Sequence, residues 1–217
     1  MTVKANYRLN MVTNRFTGLG ESELTEGFYI RQAGTEFRRQ WVQVAYRAGE
    51  FSTYEASLQR YDLEFEKANE QTVRDRVFYL CNDENEAIGT ATAWFHQEQK
   101  QLGRLHFVAL MDKYQGKGLI RPLLEATLSK LQQLHEDYWL TTQPRSMKGI
   151  KLYLDYGFLP VVENEEDNRV WKHLFNKLGR NWTPGQSRTL SSVRHPDGAL
   201  SGGYFITGPE NSDDLSD

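Results

Sequence analysis

Between Leu105 and Leu134 the polarity pattern of the chain changes period. Leu105-His106-Phe107-Val108-Ala109-Leu110 reads as a strand. A glycine-bearing turn follows. Ile120, Leu124, Leu128 and Leu131 then recur at helical spacing, with Arg121, Glu125, Ser129, Gln132 and Glu136 as the expected wet stripe. The same test applied upstream predicts a strand at Gly27 to Arg31 and a helix carrying Phe37, Trp41 and Ala45 behind a Thr35 cap. A second helix opens at Ser52-Thr53-Tyr54-Glu55, a capping box, and presents Tyr54, Leu58, Tyr61 and Phe65. Val77 to Cys81 and Ile88 to Phe95 are further strands, and Gln97 to Gly103 a polar hairpin turn. Three strands on short polar turns predict an antiparallel meander.

Downstream, Tyr138 to Thr142 reads as a strand. A helix capped by Ser146 and ended by Gly157 follows. Phe158 to Val162 is extended, and Pro160 favours a sheet edge. Val170, Trp171, Leu174, Phe175 and Leu178 mark a last amphipathic helix. From about Thr183 the chain turns to Gly, Ser, Pro and Asp, with Tyr204-Phe205-Ile206 its one apolar piece. The expectation is an α+β domain, a mixed sheet flanked by helices, over residues 26–180. Residues 1–25 are read as an extension with a short strand at Tyr7 to Val12, and 181–217 as a tail.

Composition narrows the class. The chain has 217 residues, with 39% hydrophobic and 25% charged positions, the balance of a folded soluble domain. No apolar run approaches the ~20 residues that span a bilayer, and the N-terminus lacks an apolar signal core, so no membrane partner is expected. Net charge is −3, so no basic field draws the chain to nucleic acid. The single cysteine, Cys81, excludes an internal disulfide and suits a reducing, cytoplasmic setting. His135, His173 and His195 share no ligand spacing, so no metal site is expected.

The turn holds the candidate chemistry. A strand, two glycines and a helix start place unpaired N–H groups where an anion can sit. Gly116 and Gly118 permit positive φ and close backbone approach. Pro122 falls in the first helical turn, where its missing N–H costs nothing. Taken alone, the two glycines are read first as an ordinary strand-turn-helix connection, since glycine is the default turn residue. The full dinucleotide fingerprint and the P-loop pattern are both absent.

Gln115-Gly116-Lys117-Gly118-Leu119-Ile120 resembles the Q/R-x-x-G-x-G/A acetyl-CoA signature of the GNAT N-acetyltransferases. Gly149-Ile150-Lys151-Leu152-Tyr153-Leu154-Asp155-Tyr156-Gly157-Phe158 resembles that family's A-I-x-L-Y-x-x-x-G-F element, in the right order. The resemblance covers roughly residues 26 to 162. It implies an acyl-CoA N-acyltransferase fold. In that fold the strand ending at Leu110 and the strand at Tyr138 to Thr142 splay around the pantetheine arm of acetyl-CoA. The pyrophosphate would lie on Gly116 to Ile120, with Lys117 and Arg121 adding charge. Ile120 stands where the family has Gly or Ala; it either blocks the turn or points into the core. Gly149 stands where Ala is commoner.

The activity implied is direct transfer of an acetyl group to a small-molecule or peptide amine. Backbone N–H at Leu110 or Met111 is the family-like oxyanion donor. Tyr153 is the family-like acid, and its ordinary pKa near 10 leaves a proton to give at neutral pH. Packing on a helix face is the plainer role for Tyr153. His106 resembles the strand histidine used as base in the arylalkylamine branch; a sheet histidine with satisfied bonds explains it as well. His96 and Glu98 are lesser candidates. The alternative function is a CoA-binding or interaction protein that keeps the fold without turnover. An exposed sheet edge and an apolar C-terminal helix are compatible with a homodimer.

Overall fold

The computed structural model describes residues 4–5, 7–65, 68–95 and 102–183. The expected turn residues from Gln97 to Gln101, along with His96, Glu98 and the segment from 184 onward that holds His195 and Tyr204 to Ile206, lie outside them.

In chain order the elements are β1 (Leu9–Thr13), β2 (Phe28–Gln32), α1 (Phe37–Arg47), α2 (Tyr54–Phe65), α3 (Glu70–Arg76), β3 (Val77–Asn82), β4 (Ala87–Phe95), β5 (Leu102–Leu110), α4 (Ile120–Leu134), β6 (Asp137–Thr142), α5 (Met147–Asp155), β7 (Leu159–Pro160) and α6 (Glu165–Lys177). The strands form one seven-stranded sheet ordered β2-β3-β4-β5-β6-β1-β7. β2 to β5 are the antiparallel meander expected from the polar turns. β6 runs parallel to β5, as strands joined through a helix do. Pro160 is on the outermost strand, where a missing N–H is harmless.

β1 is not peripheral. It lies between β6 and β7, antiparallel to both, and Leu9, Met11 and Val12 are buried. The segment read as an extension therefore contributes an interior strand. Its polarity alternates weakly, because a strand covered on both faces has no wet side to announce it. α3 was not expected either. At seven residues it is too short for a periodic stripe, although Asn69 caps it by accepting from the Gln71 N–H at 2.8 Å.

Helices cover both faces. Gly89 of β4 sits under α4; a Cβ built there would lie 3.5 Å from Leu123 Cδ2. Trp94 of the same strand stacks edge-on to Phe65 of α2, with centroids 5.1 Å apart. Residues 89 and 94 point to opposite faces by strand alternation, so α4 and α2 sandwich the sheet. Trp41 of α1, fully buried, packs on Phe107 of β5 at 4.6 Å and ties the α1–α2 layer to the strand that matters most.

The wet stripe of α4 departs from expectation at one position. Glu125 is 7% exposed. The Gly20 N–H donates to it at 3.0 Å, the Ser22 N–H at 3.3 Å and the Tyr156 hydroxyl at 3.0 Å. The Ser22 hydroxyl completes the set. The segment 18–22 closes over a face that helical periodicity assigned to water. Glu136 lies beyond the helix end.

Candidate active site

β5 and β6 pair only at Leu102↔Asp137, Gly103↔Tyr138 and Arg104↔Trp139. Beyond Arg104 the strands part. β5 continues to Leu110 against β4, and β6 continues to Thr142 against β1. An opening is left between Leu105–Leu110 and Leu140–Thr142, lined by backbone groups with no strand across from them.

A bulge in β5 shapes this edge. The register passes from Thr92↔His106 to Thr90↔Ala109, an extra residue on β5, and Phe107 takes φ 45°. A bulky residue at positive φ is strained, and such strain persists where packing over-determines it. Here Trp41 and Phe65 hold the Phe107 ring.

At the far end of β5 the Met111 N–H donates to the Ile88 carbonyl at 2.9 Å. Of the two oxyanion donors expected, Met111 is thus engaged within the sheet. N–H groups alternate between the two edges of a strand, so that of Leu110 is directed into the opening.

The connection from Leu110 to α4 is braced by Gln115. Its Nε2 donates to the Leu110 carbonyl at 3.2 Å and to Asp112 Oδ1 at 2.9 Å, so its side chain holds the turn. Gly116 and Gly118 have φ 76° and 78°, and a Cβ built on either would meet no atom within 4 Å. The turn faces open space, and glycine is needed there for conformation. α4 then starts from Leu119 with no side-chain cap and no acid in its first turn, whereas Asn164 caps α6. Among the described residues, the amides at the mouth of α4 have no side-chain acceptor. Leu119 is buried, and Ile120 is half-buried against the core. Lys117 is exposed, its Nζ 5.4 Å from the Tyr114 ring centroid. Arg121 pairs with Asp155 at 2.9 Å, which also holds Arg180, so its charge is shared with the end of α5.

Tyr153 lies on α5, where the ring folds back over Gly149. A Cβ on Gly149 would sit 3.4 Å from both the Tyr153 hydroxyl and its Cε2. A Cβ at 149 would make ordinary van der Waals contact with the tyrosine ring, so alanine would fit there as well. Gly157, at φ 87°, ends the helix in a Schellman turn, with the Phe158 N–H donating to the Tyr153 carbonyl at 3.0 Å. Burial raises the Tyr153 pKa well above its usual value, and the charge of Glu50 adds to this. The phenol is therefore firmly protonated at neutral pH.

Glu50 was not singled out in the sequence. It follows Gly49, at φ 72°, in the connection between α1 and α2. Desolvation raises its pKa; Arg145 opposes this and Asp112 reinforces it. Its coupling to Tyr153, Asp112 and Arg145 places it among residues from three other parts of the chain. No local pattern could have reported that meeting.

His106 is 6% exposed and its Nε2 is 2.9 Å from Glu64 Oε2. Glu64 also binds Arg60 at 2.7 Å and lies 3.9 Å from Arg104. Burial, then the Arg104 charge, pushes the His106 pKa down to about 4 against the pull of Glu64. The ring is neutral at pH 7. Its Nε2–H donates to the carboxylate, and Nδ1 is left as the acceptor. Burial alone would raise the Glu64 pKa; His106, Arg60 and Arg104 bring it below the usual carboxylate range. His106 and Tyr153 stand on different sides of the parted strands, on β5 and on the helix that follows β6. No group of three metal-ligating side chains is present among the described residues.

The Acetyltransferase (GNAT) family model matches residues 37–158. Among solved structures, a GNAT-family acetyltransferase from Colwellia psychrerythraea superposes with a TM-score of 0.54 at 18% identity, over 74% of this chain and 54% of that one. A GCN5-related N-acetyltransferase from Sphaerobacter thermophilus gives 0.52 at 18% identity, over 70% and 48%. A protein from Pyrococcus horikoshii OT3 gives 0.51 at 21% identity, over 63% and 92%. The chain spans about half the length of the first two. At these identities the likeness is one of fold. No curated protein sequence matches. The family match covers more than half of the chain and runs from α1 through the parted strands to the Schellman turn after α5, and on that ground the chain belongs to the GNAT acetyltransferase family.

Proposed function

We propose that this protein is an N-acetyltransferase that uses acetyl-CoA to acetylate a primary amine. The observation that carries the proposal is the opening between β5 and β6, which runs into the uncapped, glycine-lined start of α4. The opening fits the two parts of the co-substrate. Unpaired strand edges suit the amides of the pantetheine arm. Amides at Gly116 to Ile120, with the helix dipole behind them and Lys117 and Arg121 beside them, suit a pyrophosphate. The observed packing of Ile120 on the core is compatible with that approach.

Acetyl-CoA supplies the activated acetyl thioester. Leu110 donates its N–H to the oxygen on which charge develops as the amine attacks. His106, oriented by Glu64, accepts the proton shed by nitrogen at Nδ1, directly or through water. Its depressed basicity makes it a weak acceptor from a free ammonium. It therefore acts on an amine that enters neutral or loses its proton as the C–N bond forms. Tyr153 gives its phenolic proton to the departing sulfur as the C–S bond breaks; its raised pKa keeps the phenol protonated at neutral pH but makes it the weaker acid, so the transfer waits until charge has developed on sulfur, and the proton taken up by His106 passes to solvent as the phenol is reprotonated. The role of Gln115 is to fix the turn, and Met111 anchors the strand end.

Release of free thiol from acetyl-CoA, measured across a panel of primary amines, tests this reading. Turnover with at least one amine is expected. Tyr153→Phe should lower kcat at least about 100-fold, the usual weight of a positioned acid, while acetyl-CoA still raises the melting temperature. Acetyl-CoA binding with no thiol release from any amine would replace the reading with a CoA-binding protein that lacks turnover.

A further inference from the structure

The last helix brings a second guanidinium to the start of α4. α6 follows the residues that the family model matches, and it is firmly seated. Val170, Trp171, Leu174 and Phe175 are buried, and the Trp171 Nε1–H donates to the Val161 carbonyl at 3.1 Å. Just past its end the chain turns back on the helix. The Arg180 N–H donates to the Phe175 carbonyl at 2.9 Å, and Trp182 packs on the Phe175 ring with centroids 4.9 Å apart. From that turn the Arg180 guanidinium reaches Asp155 Oδ1 at the end of α5. Arg121, in the first turn of α4, takes Oδ2 of the same carboxylate at 2.9 Å.

Two guanidiniums on one carboxylate leave a net positive charge. Burial alone would raise the Asp155 pKa, but the bonds from Arg180 and Arg121 hold it below the usual carboxylate range. Asp155 is therefore ionised and counts once against two cations. Lys148 and Lys151 stand seven and four positions before Asp155 on α5, the spacing of one helix face, and both are exposed. Neither makes an ion pair among the described residues. The chain as a whole carries −3, so the excess is local.

Packing does not call for the second arginine. Arg121 is already held by Asp155 and by the Tyr156 ring, whose centroid is 5.8 Å from its Cζ. The Arg121 and Arg180 side chains are 41% and 36% exposed, and ion pairs at such exposure add little to stability. α6 has its own apolar anchors. What the pair does supply is two forked donors, open to solvent, beside amides that suit a pyrophosphate. Such forks match a phosphomonoester, with its near-double charge and three acceptor oxygens. CoA carries one such group, the 3′-phosphate, one ribose away from its pyrophosphate.

We propose that Arg180 and Arg121 bind the 3′-phosphate of CoA, so that the helix after the family-matched residues completes the co-substrate site. The inference rests on acetyl-CoA being the co-substrate. Arg121 borders both phosphate groups, and Arg180, on the other oxygen of Asp155, meets only the outer one. Asp155 orients the two forks in the empty protein and competes with the phosphate for them.

The test measures the Kd of CoA and of dephospho-CoA, which lacks only the 3′-phosphate. CoA should bind at least tenfold more tightly. In Arg180→Gln the ratio should fall toward one, through weaker CoA binding at unchanged affinity for dephospho-CoA. Asp155→Asn removes the competing carboxylate and should keep the ratio at or above that of the wild type. If Arg180 merely clamps α6, both variants would weaken both ligands alike, and the inference would fall. Adenosine 3′,5′-bisphosphate should lose affinity in Arg180→Gln and ADP should not; an equal loss for ADP would reassign Arg180 to the pyrophosphate. If Arg180→Gln does not fold, the wild-type protein decides: equal affinity for CoA and dephospho-CoA, with thiol release intact, would overturn this inference alone. No binding of either ligand would overturn the acetyl-CoA reading with it.

Discussion

Glu125 is a charged side chain that holds structure together. It sits 7% exposed on α4 and accepts from the backbone of Gly20 and Ser22 and from the hydroxyls of Ser22 and Tyr156. A buried carboxylate is tolerated when its lone pairs are filled, and removing it strands every donor. Glu125→Ala should cost about 3 kcal/mol of unfolding free energy in urea, with Glu125→Gln costing less. A loss below about 1 kcal/mol would show the donors turning to water instead. The same scale shows what sequence could tell. Gly116 and Gly118 were legible because their conformation is local: two positive-φ glycines before a helix. Tyr153 was singled out only through the resemblance of its motif. Glu125 was not, because the segment that covers it lies about a hundred positions away. Glu50 was missed for the same reason.

At the scale of elements, the chain announces those with one wet face. The β2–β5 meander, α1, α2, α4 and α6 all follow from their period. The caps expected of Thr35 and Ser146 are not formed: Glu36 takes the N-cap position of α1, and neither it nor Ser146 at α5 makes a side-chain cap bond. β1 was placed in sequence but not in space, since pairing with β6 and β7 is a long-range choice that no local pattern records. The parting of β5 from β6 came from the resemblance of the motifs, and the bulge at Phe107 came from neither source. The link between β5 and α2 carries a measurable charge effect. The His106 pKa falls on folding, from about 6.5 in an open chain to about 4 in the protein, because burial and Arg104 disfavour its cation. A group whose folded value is depressed gives up stability as pH falls through the interval between the two values. Unfolding takes up a proton there, so the free energy of unfolding should drop between pH 6.5 and 4, by at most about 1.4 kcal/mol per pH unit for one site. The lowered Glu64 pKa acts with the same sign at still lower pH. His106→Gln should flatten the slope between pH 6.5 and 4 in urea titrations. An unchanged slope would show that His106 is charged in the folded protein.

For the whole molecule, the sheet is a frame that opens once. Among the described residues seven strands are ordered so that the one parallel pair, β5 and β6, stands near the centre, and that pair separates after three residue pairs. The antiparallel blocks on either side, each locked by its own ladder, let the gap persist without collapse. α4 starts at the wide end of the gap, and Arg104, stacked over Trp139, marks the narrow end. No helix among the described residues is long and apolar enough to cross a membrane. On the proposed function, this gap and the glycine turn bind acetyl-CoA together. Thermal unfolding with acetyl-CoA, set against free ADP, tests it most directly. Ligand at 100 times its Kd stabilises the native state by about 2.7 kcal/mol, a rise of several degrees for a chain of this size. The expected shift with acetyl-CoA is well above that with ADP, and it is lost when Gly118→Val places a branched side chain at positive φ. Equal shifts would mean that the turn binds phosphate and the gap binds nothing; no shift at millimolar acetyl-CoA would overturn acetyl-CoA binding outright.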